Sequence, residues 1–405
     1  MRVAFVSVSD QMGGSEAMLL QIAAELRRTR PDWSLDLILP GPGPLGAAAR
    51  AVGVAVSILP MPPALARLGE SGLGKRGRVA LAARLMLASL ALPAYQRQLR
   101  AALATLAPDV VHTNGFKAHI LAARVGPPGR GLVWHMHEYI NGRRLTSRLL
   151  RRYAGRCSLV VANSQSVAAD VREVLGRAVE VRVIYNAVDV ERFAPAGPAV
   201  NLDERAGLMP APPDTVRVGL VATFSRWKGH DVFLRAIALL PAALPVRAYI
   251  VGGALYDTEG SQYSGEELHR LAEQYGVADR VGFVGFVAAA DQVMRALDVV
   301  VHASTTPEPF GLVIAEAMAC GRALVTSAAG GAAELVRDGE DALTHAPGDA
   351  PQLAAAIQAL VREPSLRARL GRNARAVAAR RFDARRLAGE FAEAYEATVG
   401  SRMVH

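Results

Sequence analysis

The chain has 405 residues, of which 51% are hydrophobic and 20% are charged, and its formal net charge is +9. This composition excludes an intrinsically disordered chain, and the length favours two domains over a single core. Two cysteines, Cys157 and Cys320, are too few for a disulfide framework, which favours a reducing, cytoplasmic location. The first residues lack the layout of a signal peptide and predict a strand instead.

The positive charge is concentrated in the front of the chain. Residues 1–195 contain 25 Lys and Arg against 13 Asp and Glu, a net of +12, whereas the remainder carries a net of −3. Such an excess predicts an acidic partner, either an anionic acceptor or a membrane surface, although a solvated basic surface is the alternative. No nucleic-acid-binding motif is present, so nucleic acid is not expected as a partner.

Strand and helix patterns alternate through the first half of the chain. Continuous apolar runs predict buried strands, and residues 15–28 between the first two predict a helix. These runs are residues 3–8, 35–39, 109–112, 132–136 and 159–162. Apolar strands separated by helices are typical of a parallel sheet that is covered on both faces.

A second series of strands follows a proline-rich segment, residues 193–214, which contains five prolines. Its strands are predicted at residues 216–221, 247–251, 281–284, 297–302 and 323–326. The pattern therefore predicts an α/β chain with two doubly wound, Rossmann-like domains. We assign the first domain to residues 1–195, a hinge to 196–214, the second domain to 215–384, and a last helical segment to 385–405.

The segment TPEPFGLVIAEAMACG carries two glutamates, Glu308 and Glu316, eight positions apart. Glu308 precedes a proline, so its backbone should be extended. Glu316 falls on the apolar face of a helix predicted at 312–319, where a carboxylate without a partner is costly and a ligand with hydroxyl donors would offset the cost. Amides at the start of this helix suit a phosphate: those of Gly311, Leu312 and Val313. A nucleotide sugar offers both kinds of group.

This segment resembles the retaining glycosyltransferases of family 4, which have the GT-B fold. Their marker is Glu, seven residues and Glu, usually with Phe-Gly after the first Glu, and here it corresponds to EPFGLVIAE with Phe310 after the proline. The resemblance implies two domains that face a central cleft, with the donor on the second and the acceptor on the first. It also implies that Glu308 holds donor-sugar hydroxyls and Glu316 holds the ribose hydroxyls.

A basic loop, Arg-Trp-Lys-Gly, follows the first strand of the second domain. Cations at a helix N-terminus oppose the helix dipole, so a bound anion is expected there. In the family a Lys-Gly at this place binds the donor diphosphate, and Lys228 corresponds to that lysine. Relatives usually have an arginine where this chain has Thr223, so Arg226 is the candidate for the second charge. Val284 and Phe286 are expected to present backbone to the nucleobase.

The first domain contributes candidates after its strands. Gly14 belongs to a Gly-Gly-x-Glu sequence like that of the family and lets the backbone approach the donor closely. His137 follows a strand and corresponds to a family histidine near the donor sugar. His112 and Asn114 end the preceding strand and are candidates for the acceptor side, because carboxyl ends of parallel strands meet at the ligand crevice.

The resemblance implies a retaining, hexosyltransferase-like enzyme of surface glycan, glycolipid or secondary-metabolite synthesis, with His137, Lys228 and Glu308 as catalytic residues. The co-substrate would be a nucleotide-diphosphate sugar, and since Asp-x-Asp is absent from the sequence, neither a metal nor another cofactor is expected. The acceptor hydroxyl is expected on a lipid-linked or anionic molecule. Peripheral contact with the inner membrane face is predicted from the basic residues 143–156 and the apolar run 79–92, which is too short to span a bilayer. Alternatives are a GT-B sugar-nucleotide 2-epimerase and a non-enzymatic sugar-nucleotide-binding protein.

Overall fold

The computed structural model describes residues 1–66, 78–126, 130–254 and 260–400. The chain divides into two compact units, one formed by Met1–Asn186 with Ala384–His405 and the other by Ala187–Asp383. The strands are β1 Arg2–Ser7, β2 Ser34–Leu39, β3 Ala55–Ile58, β4 Val110–Asn114, β5 Gly131–Met136, β6 Leu159–Ala162, β7 Val181–Val183, β8 Val216–Val221, β9 Val246–Val251, β10 Val281–Gly285, β11 Val299–His302, β12 Ala323–Ser327 and β13 Leu343–His345.

The α-helices are α1 Gly14–Thr29, α2 Pro44–Ala51, α3 Pro63–Ala66, α4 Arg78–Leu106, α5 Phe116–Val125, α6 Arg144–Tyr153, α7 Gln165–Leu175, α8 Leu202–Arg205, α9 His230–Leu239, α10 Gly265–Gln274, α11 Ala290–Ala296, α12 Leu312–Ala319, α13 Ala350–Arg362, α14 Pro364–Arg381 and α15 Leu387–Gly400. Short 3-10 turns lie at Ala154–Arg156, Gly176–Ala178, Arg226–Lys228, Ala278–Arg280, Gly331–Glu334 and Ala384–Arg386. Among the described helices, none is long and apolar enough to cross a membrane.

The first unit is a parallel sheet with the strand order β3-β2-β1-β4-β5-β6-β7. Alternate residues of the strands face opposite helix layers, because side chains alternate along a strand. Ala4, Val6, Val111 and Trp134 belong to the core under α4, α5, α6 and α7. The intervening His112 contacts Phe391 of α15, which packs beside α1.

The second unit is a parallel sheet with the order β10-β9-β8-β11-β12-β13. In each unit the order reverses once, between β1 and β4 in the first sheet and between β8 and β11 in the second. Crevices at such reversals are the usual ligand sites of doubly wound sheets. The predicted fold class, two Rossmann-like parallel-sheet domains, is confirmed.

The boundary between the units differs from the predicted one. The chain passes from the first unit to the second at Asn186, and the proline-rich segment predicted as a hinge belongs to the second unit. Asp203 of α8 is the reason, since its buried carboxylate accepts hydrogen bonds from Arg247 at 2.7 Å and from the Tyr249 hydroxyl at 2.6 Å. The sequence patterns also missed helix α14. The segment from Ala384 belongs to the first unit, and the last five residues of the predicted 385–405 segment lie outside the described ones.

Candidate functional site

Lys228 and Glu308 follow the two neighbouring strands at which the order of the second sheet reverses. Lys228 lies in the loop after β8, and Glu308 lies in the loop after β11. The Lys228 ammonium lies 2.8 and 2.9 Å from the two carboxylate oxygens of Glu308. Both side chains are largely buried, with exposed fractions of 18% and 10%.

Backbone contacts hold these two loops against each other. The Thr305 amide donates to the Trp227 carbonyl at 2.8 Å. Gly229, which ends the basic loop with a left-handed φ of 78°, passes so close to the other loop that a Cβ there would lie 1.9 Å from the Ala303 carbonyl oxygen. Only glycine fits this position, so the Lys-Gly sequence has a steric reason as well as a charge.

A buried polar network that the sequence analysis missed surrounds Glu308. His302 Nε2 lies 3.2 Å from Glu308 Oε2, and the Ser304 hydroxyl donates to the same oxygen at 2.9 Å. His302 Nδ1 lies 3.0 Å from the Thr326 hydroxyl of the next strand. His302 ends β11, and this position at a strand end is the signal that could have identified it.

This environment keeps Glu308 ionised. Burial alone would raise the pKa of the Glu308 carboxyl, but the charge of Lys228 and the hydrogen bond from His302 outweigh burial and hold that pKa well below its usual range. Such a carboxylate is fixed in position and accepts hydrogen bonds at neutral pH.

Glu316 lies on α12, whose N-terminus is set by Gly311 with a left-handed φ of 93°. The residue is partly exposed, and among the described residues none donates a hydrogen bond to its carboxylate. Burial raises the pKa of Glu316 to about 7, a rise that the charge of Arg192 opposes and that of Asp291 reinforces. The first amides of α12, those of Leu312 and Val313, point out of the helix start without intrahelical acceptors.

Two residues predicted as donor contacts have protein partners in the structure. Arg226 donates to Glu267 of α10 at 2.8 Å and lies 4.3 Å from the ring centroid of Tyr263, so it links its loop to α10 rather than standing free beside Lys228. The Phe310 side chain is 2% exposed and packs edge-on against Phe382, which leaves only its backbone for a ligand.

The candidates after β10 differ from each other. The Val284 side chain is buried, whereas the Phe286 ring is 63% exposed directly after the strand. The Gly252 amide donates to the carbonyl of Gly285 between them, so that carbonyl is already engaged. Contact with a ligand at this edge therefore falls to the neighbouring backbone groups and the Phe286 ring.

The first unit places its own candidates at the end of its sheet. Gly14 begins α1 directly after the β1 loop, and Asn114 ends β4, so the two flank the strand reversal. The Asn114 amide lies 3.4 Å from Glu16, a carboxyl whose pKa burial raises. His137 follows β5, and burial lowers its pKa to about 4, so it is neutral at pH 7. Within the described chain its Nε2 has no hydrogen-bond partner.

His112 does not belong with these residues. Its side chain is fully buried, and its Nδ1 shares a hydrogen bond of 2.7 Å with the Tyr395 hydroxyl of α15. The ring faces the helix layer because residue 112 points to the α15 side of the sheet. In this structure the His112 ring joins α15 to β4, and its contact with an acceptor stays a prediction.

The two halves of the chain match two family models. Residues 12–192 match the model described as Glycosyltransferase Family 4, and residues 210–377 match the model described as Glycosyl transferases group 1. This chain belongs to glycosyltransferase family 4. In the part of the chain that the structure describes, no group of three or more His, Cys, Asp or Glu residues is arranged to hold a metal ion.

Curated relatives and solved structures agree with this family. The chain is 35% identical over 184 residues to the D-inositol 3-phosphate glycosyltransferase of Mycobacterium ulcerans. The aligned region covers 45% of this chain and 37% of the relative. It is 35% identical over 211 residues to the lipopolysaccharide core biosynthesis glycosyltransferase LpsE of Rhizobium meliloti, covering 52% and 56%. The match thus spans between about a third and a little over half of the length of these relatives.

Structural similarity extends over almost the whole chain. HepE from Anabaena, solved in complex with UDP, superimposes with a TM-score of 0.80 and 29% identity over 98% of this chain and 100% of that one. The lipopolysaccharide glycosyltransferase WaaG superimposes with a TM-score of 0.66 at 18% identity, a likeness of fold alone.

Proposed function

We propose that this family member transfers a sugar from a nucleotide-diphosphate sugar to an acceptor hydroxyl, with retention at the anomeric carbon. The observation that carries the proposal is the Lys228–Glu308 pair at the strand reversal. The loop that holds Glu308 leads directly into α12, which carries Glu316. Anion-binding and hydroxyl-binding groups therefore lie side by side in one unit. A UDP-sugar is the first donor to test, because HepE was solved in complex with UDP-glucose.

The leaving diphosphate is the proposed partner of Lys228. An incoming phosphate would compete with Glu308 for the ammonium, and α12 would add the amides of Leu312 and Val313. Negative charge on the diphosphate grows as the glycosidic bond breaks, so a fixed cation stabilises the transition state more than the ground state. Arg226 supports this site indirectly, since its own charge is neutralised by Glu267.

The sugar and ribose hydroxyls are the proposed partners of the two glutamates. Glu308 is ionised and fixed by His302 and Ser304, which suits it to accept from donor-sugar hydroxyls. Glu316 lacks a protein donor among the described residues and would accept from the ribose hydroxyls. His137, neutral and with one ring nitrogen unbonded, is the first unit's candidate for contact with the reacting sugar.

We infer that the transfer needs no metal and proceeds on one face of the sugar, the departing phosphate taking the proton of the acceptor. Lys228 supplies the charge that a metal would otherwise supply. Among the described residues the site has no separate nucleophile–base pair, and Glu308 is paired with Lys228, which favours this route over a covalent intermediate. The acceptor is proposed to be anionic or lipid-linked, in keeping with the charge of residues 1–195.

A nucleotide screen followed by donor turnover tests the function. Thermal shift with UDP, GDP and ADP identifies the base, and mass spectrometry then follows the sugar. Transfer requires an added acceptor and releases the nucleotide, whereas a 2-epimerase converts the donor alone and a simple binding protein does neither. Release of nucleotide with an inverted anomeric product would contradict retention.

A further inference from the structure

One stretch of the first unit carries nearly all of its excess charge. Residues 71–169 contain 15 Lys and Arg but only two acidic residues, Asp109 and Glu138. Both of these carboxylates already have partners, Arg130 for the first and Arg143 for the second. The other cations of this stretch therefore lack acidic neighbours from the same part of the sequence.

The fold brings four of these arginines to one pocket. Helices α4, α5 and α6 pack side by side on one face of the sheet. Between them lies a pocket of about 410 Å³, lined by Gln96, Arg100, Arg124, Arg152, Tyr153 and Arg156. Among the described residues no carboxylate lines it, so the four guanidinium groups repel one another unless an anion balances them.

The hydrogen bonds of these groups leave donors available in the pocket. Arg124 donates to the Tyr153 hydroxyl at 3.0 Å, and Arg156 donates to the Ala123 carbonyl at 2.9 Å. Arg100 and Arg152 have no acceptor among the described residues. The amide nitrogen of Gln96 is buried and also has no acceptor in the described structure, which is costly unless a ligand supplies one.

Apolar side chains are exposed earlier in the same helix, about two to four turns before the pocket residues. Met86, Leu87 and Leu90 of α4 are 61%, 55% and 70% exposed. Arg100 follows Met86 by 14 positions, close to four helical turns, so these two residues lie along one face of α4, about 21 Å apart on the helix axis with Pro93 between them. A soluble anion needs no such apolar segment, whereas a bilayer interface offers both phosphates and acyl chains.

We propose that this face of the first unit docks on a membrane that carries anionic phospholipid, with a lipid phosphate in the arginine pocket and Met86 and Leu90 in the interface. Arginine suits this role because its planar fork binds two phosphate oxygens at once. The proposal concerns only the first unit and does not depend on the transfer reaction.

Vesicle sedimentation of the full chain, without donor, tests the proposal. We expect binding to phosphatidylglycerol vesicles at low salt, release at high salt, and little binding to phosphatidylcholine vesicles. Each basic residue near an anionic surface contributes about fivefold to partitioning, so R100Q/R152Q should bind about 25-fold more weakly. R362Q/R372Q removes the same charge from exposed positions of α13 and α14 and should bind like the wild type.

The apolar part is tested by L90Q, which keeps helix propensity and should weaken binding about fivefold even at low salt. Thermal unfolding of every variant confirms that the exposed substitutions leave the fold intact. Equal binding by R100Q/R152Q and R362Q/R372Q would overturn the proposal. So would stabilisation of the wild type by inorganic phosphate through Arg100 and Arg152 without any vesicle binding, since the pocket would then take a soluble anion.

Discussion

The Lys228 ammonium and the Glu308 carboxylate lie 2.8 Å apart although 80 positions separate them in the chain. The parallel sheet causes this contact, because β8 and β11 are neighbours and their carboxyl ends deliver both loops to the same edge. The pair is largely buried, so removing one partner leaves an uncompensated charge and costs stability as well as function. Tests of the site must therefore separate these two effects.

Lys228→Ala should lower turnover more than it weakens donor binding. Loss of a fixed charge beside a leaving group typically costs ~10²–10³ in rate. The accompanying loss of donor affinity should be smaller. Steady-state kinetics together with a direct donor titration measure the two effects. The double variant Lys228→Ala/Glu308→Gln removes the orphaned carboxylate and should regain stability without regaining turnover.

Arg226→Ala is the matched comparison, since Arg226 lies in the same loop but is bonded to Glu267. We expect a smaller loss of turnover than for Lys228→Ala. An equal loss in binding and none in turnover for Lys228→Ala would make Lys228 an anchor for the donor, and its proposed role on the leaving group would be wrong.

The predicted strands lie within about two residues of their observed ends, because buried parallel strands are continuously apolar. The edge strands β3, β7 and β13 were not predicted. Helix α12 begins and ends at the predicted residues, 312 and 319. Glycine and proline mark the loops on which Glu308 and Lys228 lie, so both loops could be predicted from local patterns. The sheet order that places them together depends on long-range pairing, which local patterns do not contain.

Side-chain partners were the part that the sequence could not predict. His112 and His302 were both predicted at strand ends, but His112 lies in the middle of β4 and bonds Tyr395, whereas His302 ends β11 and bonds Glu308. The difference lies in which face of the sheet each ring occupies and in what packs on that face. The partner of Arg226 could not be predicted for a similar reason, because it is Glu267 on α10, 41 positions away in the chain.

Glu316→Gln should weaken nucleotide binding and stabilise the protein at pH 8. The pKa of Glu316 is raised to about 7 from its ordinary 4.5, so the ionised form costs stability above pH 7, and this cost disappears as the pH falls below 4.5. Partial exposure reduces the expected gain to about 1–2 kcal/mol. Loss of charged hydrogen bonds to two ribose hydroxyls should cost about 1.5–3 kcal/mol of binding.

Calorimetric titration with the nucleotide and thermal unfolding at pH 8 and pH 5 check this expectation. Wild type and variant should differ in melting temperature at pH 8 and converge at pH 5. Unchanged nucleotide affinity in the variant would show that the ribose is held elsewhere.

Tyr395→Phe should lower stability without changing donor binding. The substitution removes the hydroxyl that satisfies His112 Nδ1 in the core, and an unsatisfied buried group costs about 1–3 kcal/mol. Urea unfolding measures the loss, and turnover per folded molecule should be unchanged. Reduced turnover in the folded variant would support a role for His112 in acceptor binding.

Acid should destabilise the first unit from about pH 6.5 downward, well above the range in which carboxylates usually titrate. Burial lowers the pKa of His112 to about 3 and that of His137 to about 4, and it lowers the pKa values of His119 and His135 well below the usual range. Since these values are lower than in the unfolded chain, the unfolded chain takes up protons first. The stability they contribute is complete above pH 6.5 and is lost as the pH falls towards the folded values.

Each such histidine adds about 1.4 kcal/mol per pH unit to the slope. Carboxyls whose pKa burial raises oppose it, among them Glu16 in the first unit and Glu316 in the second. Urea unfolding at several pH values between 7.5 and 5 measures this slope. H135M should reduce it, because both ring nitrogens of His135 are buried without a hydrogen-bond partner in the described structure. H269Q, at an exposed position of α10, is the control for replacing a histidine outside the first unit. A slope that H135M does not reduce would assign the acid sensitivity to other groups.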